Sequence, residues 1–68
     1  MPPRRKLRTV LKEARTKKGW SQRELAERAE TTGAYIAMLE TGKKQNPSLA
    51  VLKRLAKVLD VPITELLG

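Results

Sequence analysis

Apolar residues recur along the chain at spacings of three and four positions, which is typical of amphipathic α-helices. The first such segment predicts a helix over residues 6–18, with Gly19 as the glycine that ends it. No segment shows the strict alternation of a half-buried strand, so the pattern predicts an all-α fold. The apolar positions of this first helix are Leu7, Val10, Leu11 and Ala14.

Two shorter helices follow, joined by a tight turn. Ser21 opens the second helix, and its spacing to Glu24 predicts a capping box, in which each side chain bonds the other residue's backbone amide. Thr31 or Thr32 caps the third helix, which runs to about residue 41 and stops at Gly42. The intervening turn of about three residues fits a helix-turn-helix. The expected buried residues are Leu25, Ala26 and Ala29, then Ile36 and Leu39 together with Tyr35.

The C-terminal part continues the helical pattern after a loop over residues 43–47. Ser48 is the expected cap of a fourth helix, and Asp60-Val61-Pro62 breaks the chain before a last short helix. We therefore expect a compact bundle of five helices around one aliphatic core. The inward residues of the last two helices are predicted to be Leu49, Leu52, Leu55, Ala56 and Leu59, then Ile63, Leu66 and Leu67.

Composition removes several function classes. The chain has 68 residues, enough for one small domain, and contains neither cysteine nor histidine. Disulfides, thiolate metal sites and imidazole catalysis are therefore excluded. With no nucleophile–base pair and no metal constellation, we expect no enzyme, no cofactor and no metal. The sequence shows no transmembrane run and no signal peptide, so we expect a cytoplasmic protein.

The charge balance favours a polyanionic partner. Fifteen basic and seven acidic residues give a formal net charge of +8, which suits nucleic acid better than an acidic membrane surface. A solvated basic surface that aids solubility is the alternative. Residues 1–5 predict a flexible basic arm that brings Arg4 and Arg5 to DNA, ahead of a domain over residues 6–68. Basic residues concentrate toward the N-terminus, where Glu13 is the single acid, and they form two further clusters, Lys43-Lys44 and Lys53-Arg54 with Lys57. The N-terminal basic residues are Arg4, Arg5, Lys6, Arg8, Lys12, Arg15, Lys17 and Lys18.

The ordered set of residues over positions 7–67 resembles the phage-repressor and Cro-like (XRE-type) helix-turn-helix family. As a set it is specific, whereas any one piece would be weak. The resemblance implies a lambda-repressor-like fold and binding to double-stranded DNA. The matching residues are Leu11-Lys12-Glu13-Ala14-Arg15, Gly19-Trp20-Ser21-Gln22, Leu25-Ala26, Thr32 with Tyr35-Ile36, Leu39-Glu40-Thr41-Gly42-Lys43, Asn46-Pro47-Ser48-Leu49 and Leu55-Ala56-Lys57-Val58-Leu59.

The resemblance also implies roles for particular residues. Arg15 and Glu40 stand where the family pairs its first helix with the end of the recognition helix, as an orientation device. Gln22 stands where similar chains contact a DNA phosphate, although it could also be an ordinary surface glutamine. Trp20 is expected to pack rather than to stack on bases. The full set of expected phosphate contacts is Gln22, Arg23, Tyr35, Thr41, Lys43, Lys44 and Asn46, although each lysine could simply be solvated.

Two departures from the family pattern concern the DNA-facing side. Glu30 occupies the turn position that is usually glycine, and a left-handed backbone there costs roughly 1–2 kcal/mol. The expected groove-facing residues lack the long hydrogen-bonding side chains that distinguish base edges, so we expect modest base readout with a preference for thymine methyls. Those groove-facing residues are Thr32, Gly33, Ala34, Ala37 and Met38.

Two functions follow from different classes. The first is a transcriptional regulator, a repressor or control protein, that binds a two-fold operator as a homodimer paired through residues 61–67. The second is a protein-interaction module such as an antitoxin that binds a toxin, with DNA binding secondary. The groove face supports the second, and the basic clusters support the first. A membrane-surface helix is disfavoured, because caps and turns specify a compact bundle with internal apolar faces.

Overall fold

The computed structural model describes residues 6–44 and 46–67. Five helices follow one another: α1 Leu7–Lys18, α2 Gln22–Arg28, α3 Gly33–Thr41, α4 Leu49–Leu59 and α5 Ile63–Leu67. No strand occurs within those two described ranges. The prediction of an all-α, five-helix fold is therefore confirmed. The expected arm with Arg4 and Arg5 lies outside the described residues.

Hydroxyl side chains cap the N-termini of three of the helices. The Ser21 Oγ accepts a hydrogen bond from the Glu24 amide at 3.0 Å at the start of α2. Of the two candidate threonines, Thr32 caps α3, and Ser48 caps α4 in the same way. The return bond of the capping box, from the Ser21 amide to the Glu24 carboxylate, is not among the hydrogen bonds of the described residues. Half of that prediction thus holds.

Residues with a left-handed backbone end α1, α3 and α4, and another lies in the turn after α2. Gly19 and Gly42 follow α1 and α3 with φ of 76° and 82°, as expected of C-terminal glycines. Glu30 and Asp60 adopt the same region with φ of 57°, without the freedom of glycine. The turn from α2 to α3 spans residues 29–32, one residue longer than the estimate from the sequence.

The core lies where the five helices meet. Helix α3 packs against α2 and α1, and α4 and α5 close the other side against each other and against α1. Arg54 of α4 also donates to the Ala29 carbonyl at 2.9 Å, which ties α4 to the end of α2. The largest fully buried side chains are Leu11, Leu25, Ile36, Leu39, Leu55 and Leu66.

The prediction that Leu49 and Leu67 lie inside the core is wrong. Both side chains are 55% exposed. Leu49 lies about 20° around the helix axis from the buried Ala56, at 100° per residue, but occupies the first position of α4. Sequence periodicity predicts the angular position of a residue around its helix axis. It does not predict whether a neighbouring helix extends far enough along that axis to cover the residue. In α5, Leu66 takes the inward position and Leu67 lies about 100° away from it.

Candidate nucleic-acid interface

The outward side of α3 carries the residues expected to face a groove. At 100° per residue, Ala34, Ala37 and Met38 lie opposite the buried Ile36 and Leu39. Ala34 and Met38 are exposed, and Ala37 is half-buried. Thr32 is exposed and Gly33 half-buried at the start of the helix. The structure thus gathers the five predicted groove residues at one end and one side of α3.

Helix α3 is consequently apolar on both sides. Its inward face is built from isoleucine and leucine, and its outward face from alanine and methionine. A helix that is apolar all round is normally buried. The outward face of α3 therefore has the composition of a contact surface.

The start of α2 borders the N-terminal end of α3. A Cβ added at Gly33 would lie 3.8 Å from the Cα of Arg23, an ordinary contact distance. Gly33 has no positive φ, so neither backbone geometry nor crowding within the chain requires glycine there. Arg23 is freely exposed, and its 3.3 Å contact with Glu27 is an exposed pair of little energetic weight.

The loop after α3 folds back on the other end of the same face. The Lys44 amide donates to the Met38 carbonyl at 3.0 Å, and the Lys44 Nζ lies 5.5 Å from the centre of the half-buried Tyr35 ring. The Thr41 hydroxyl donates to the same carbonyl at 3.3 Å. Lys43 and the expected loop contact Asn46 are exposed. Polar and basic residues therefore border α3 at both ends.

An ion pair joins the first and third helices beneath this surface. Arg15 donates to both oxygens of Glu40, from Nε at 2.6 Å and from Nη2 at 2.9 Å. The Glu40 side chain is 3% exposed and that of Arg15 is 14% exposed. Arg15 Nη1 also donates to the Trp20 carbonyl at 2.7 Å, before α2 begins. The structure therefore brings the two residues together as the resemblance implied.

Gln22 extends the same network to the surface. Its Nε2 donates to Glu40 Oε1 at 3.2 Å, so one carboxylate receives donors from α1 and α2. The hydrogen bonds to Glu40 raise the pKa of the Arg15 guanidinium above its usual value, and desolvation acts in the opposite direction. Because the raised pKa favours the charged form, Arg15 stays positive across the physiological pH range.

Trp20 lies between the end of α1 and the start of α2. Its half-buried ring packs against the core, with the Arg28 guanidinium 4.4 Å and the Lys18 ammonium 5.8 Å from the ring centre. Cations over the ring leave it poorly placed to stack on bases. The geometry agrees with the packing role expected for this tryptophan.

Sequence reasoning counted Arg8 among the N-terminal basic residues but did not place it near the site. Arg8 of α1 reaches the end of α3, where a Cβ on Gly42 would lie only 2.8 Å from Arg8 Nη1. Gly42 is therefore favoured by its left-handed backbone, and a side chain at this position would in addition displace the flexible end of Arg8. No periodicity or motif in the sequence signals this approach, because it arises from the crossing of α1 and α3.

The part of the chain that the structure describes has no group of acidic residues that could hold a metal ion. Its helices are also all too short or too polar to cross a membrane.

Comparison with known proteins defines the class. A family model described as helix-turn-helix matches residues 11–66. This chain therefore belongs to the helix-turn-helix family, a class of DNA-binding transcription regulators, which confirms the resemblance read from the sequence. The relatives are regulators and not enzymes, so the expectation of a non-enzymatic chain is also confirmed.

Particular relatives sharpen the comparison. The HTH-type transcriptional regulator SinR of Bacillus licheniformis is 39% identical over 58 residues, which are 85% of this chain and 52% of SinR. The chain thus spans about half the length of the curated relatives it matches.

Solved structures share the fold over most of the chain. SinR, the master regulator for biofilm formation, in complex with DNA matches with a TM-score of 0.86 and 35% identity, over 91% of this chain and 98% of that one. SinR in complex with SinI gives 0.85 and 35% identity, over 91% of this chain and 60% of that one. The restriction-modification controller protein C.AhdI from Aeromonas hydrophila gives 0.81 and 37% identity, over 88% and 89% of the two chains.

Proposed function

We propose that this chain is a transcriptional regulator that places the outward face of α3 in the major groove of double-stranded DNA. The observation that carries the proposal is the uncovered apolar face of α3 with polar and basic residues at both ends. A family relative of the same fold is solved in complex with DNA, which supports the same conclusion.

Phosphate contacts from both borders hold the helix in register. Gln22 and Arg23 approach one strand from the start of α2, while Lys43, Lys44 and Asn46 approach the backbone from the loop after α3. Such contacts position a protein on the duplex without reading its sequence. The net charge of +8 also attracts the chain to DNA without regard to sequence.

Base readout is modest, because the groove face offers few hydrogen-bonding groups. Thr32 is the exception, and its Oγ1 already accepts the Tyr35 amide at 3.1 Å. Its hydroxyl proton remains available as a donor. Ala34, Ala37 and Met38 contribute apolar contacts, which favour thymine methyl groups.

The regulator binds a two-fold operator as a homodimer through residues 61–67. Leu67 supports this arrangement, because it remains 55% exposed after the core has formed. A two-fold pair with one recognition helix on each side predicts half-sites about 34–36 Å apart. A monomeric footprint at saturating protein would contradict it.

A second candidate is a protein-interaction module such as an antitoxin. Its support is the apolar groove face, together with a relative that is solved in a complex with another protein, SinI. In that case the outward face of α3 meets a protein such as a toxin, and binding to duplex DNA is weak.

Selection of bound sequences from random duplex DNA separates the two candidates. We expect a pseudo-palindromic consensus and binding that weakens steeply with salt. Lys43→Ala and Lys44→Ala should weaken binding to all sequences alike and reduce the salt slope by about 0.9 per lost phosphate contact. Lys53→Ala removes the same charge from the exposed side of α4 and is the matched control. Enrichment of no sequence, with salt-independent binding, would move the protein-interaction module to first place.

A further inference from the structure

We infer that Glu40 is a positioning residue for DNA binding, because its buried carboxylate holds the side-chain amide of Gln22 at the border of the α3 surface. The inference rests on the proposed function and goes beyond it. It gives the Arg15–Glu40 pair a role other than joining two helices.

The geometry of the carboxylate makes this possible. Glu40 Oε2 accepts from Arg15 Nε at 2.6 Å, while Oε1 accepts from Arg15 Nη2 at 2.9 Å and from Gln22 Nε2 at 3.2 Å. With its side chain 3% exposed, Glu40 has little freedom to rotate away. Arg15 is itself fixed by its third bond, to the Trp20 carbonyl. Gln22 therefore bonds to a carboxylate that is held in place on two sides.

The chemistry of the partners determines which way the amide faces. An ionised carboxylate only accepts hydrogen bonds, so the NH₂ group of Gln22, and not its carbonyl, must face Glu40. The second N–H of that group diverges from the first and remains available to a phosphate oxygen. Without Glu40 the amide can turn and present its carbonyl oxygen, which a phosphate repels.

A variant that removes the network without leaving a buried charge provides the test. Arg15→Met combined with Glu40→Leu replaces the pair by apolar side chains and leaves the net charge unchanged. Such replacements of buried pairs preserve folding in other proteins. Gln22→Ala is then made in the wild-type chain and in this double variant. Thermal unfolding is measured for all four proteins, together with affinity for the duplex that the wild-type chain selects.

Positioning predicts coupling between Gln22 and the pair. We expect Gln22→Ala to weaken DNA binding on the order of tenfold in the wild-type chain and less than about twofold in the double variant. The double variant should itself bind on the order of tenfold more weakly while folded. The salt slope should stay constant, because no net charge changes at the phosphate. A purely structural pair instead gives equal costs of Gln22→Ala in both backgrounds, which would overturn the inference.

A second measurement needs neither the double variant nor DNA. In the free wild-type chain, the side-chain NH₂ protons of Gln22 should differ by NMR. One should show the weak temperature dependence of a hydrogen-bonded proton and the other that of a solvated proton. Two solvent-like protons would overturn the inference even if the double variant did not fold. A wild-type chain that bound no duplex would overturn the proposed function itself, before any variant was compared.

Discussion

Helices α3 and α4 are capped in the same way but distribute their apolar residues differently. Helix α4 buries Leu55 and its neighbours and turns Lys53 to solvent, and it exposes apolar side chains only in its first turn, at Leu49 and Ala50. Helix α3 buries Ile36 and also exposes Ala34 and Met38. Folding requires one apolar face per helix. The fold does not require the second apolar face of α3. A helix with such a second face can bind a partner, whereas a helix with one apolar face only supports the structure.

The inward sides of the two helices differ as well, and this gives the largest expected effect. Glu40→Ala should destabilise the fold by about 3–5 kcal/mol, because it leaves the largely buried Arg15 charge with only the Trp20 carbonyl as a partner. Arg15→Ala should also lower the melting temperature, and the double variant should lose less than the sum. Denaturant unfolding of the four proteins measures the coupling. Additive losses would contradict the ion-pair role.

Leu55→Ala tests how α4 is held in the fold, which is by apolar packing and not by a buried ion pair. Leu55 is fully buried, so the change should cost about 2–5 kcal/mol by leaving a cavity. Unlike the loss at Glu40, this loss should add in full to that of Arg15→Ala. A double variant that lost less than the sum would mean that the two helices are anchored by one shared network.

Ala34→Arg tests the outward face of α3. Stability should change by less than about 0.5 kcal/mol, because Ala34 is exposed. Affinity should rise and the preferred sequence should shift toward guanine, with a good bidentate contact adding roughly 1–3 kcal/mol of discrimination.

The matched control is Ala50→Arg, the same change at an exposed position of α4. It should add non-specific affinity without changing the preferred sequence. Binding across an operator library distinguishes the two variants. Equal behaviour would mean that α3 does not lie in the groove.

The smallest expected change in stability comes from the two non-glycine residues with a left-handed backbone, Glu30 in the turn before α3 and Asp60 at the end of α4. Glu30→Gly should stabilise the fold by less than about 1 kcal/mol, since relief of backbone strain is partly offset by a more flexible unfolded chain. It should also strengthen DNA binding by removing a negative charge near the phosphates.

Asp60→Gly is the matched change at the same φ of 57°. Its carboxylate accepts from Lys18 at 2.7 Å, so it should gain less stability, and DNA binding should be unaffected. Calorimetry and duplex titration of both variants measure these differences. Stronger binding by Asp60→Gly would contradict this assignment of the charges.

The helices of this fold could be predicted from the sequence because the signals that start and end them are local. Ser21, Thr32 and Ser48 cap their helices through residues only three positions away, and Gly19 and Gly42 end theirs through backbone conformation. The resemblance, and not the spacing, paired Arg15 with Glu40. The resemblance also assigned the groove-facing positions, and the residues that stand there lack long hydrogen-bonding side chains.

Features that depend on how helices cross could not be predicted in this way. Leu49 has the correct angle for burial but lies at a level of α4 that other helices do not cover. The bond between Gln22 and Glu40 spans 18 positions, and the approach of Arg8 to Gly42 joins α1 to α3. Each requires the relative placement of elements, which no periodicity encodes.

The exposed apolar face of α3 also has a consequence for the free protein in solution. An uncovered apolar surface promotes self-association. The net charge of +8 keeps copies of the chain apart by mutual repulsion. The Debye length falls from about 10 Å at 0.1 M salt to 3 Å at 1 M, so added salt removes that repulsion. We therefore expect the same excess of positive charge to keep copies of the free chain dispersed at low ionic strength, and added salt to favour their contact through this face.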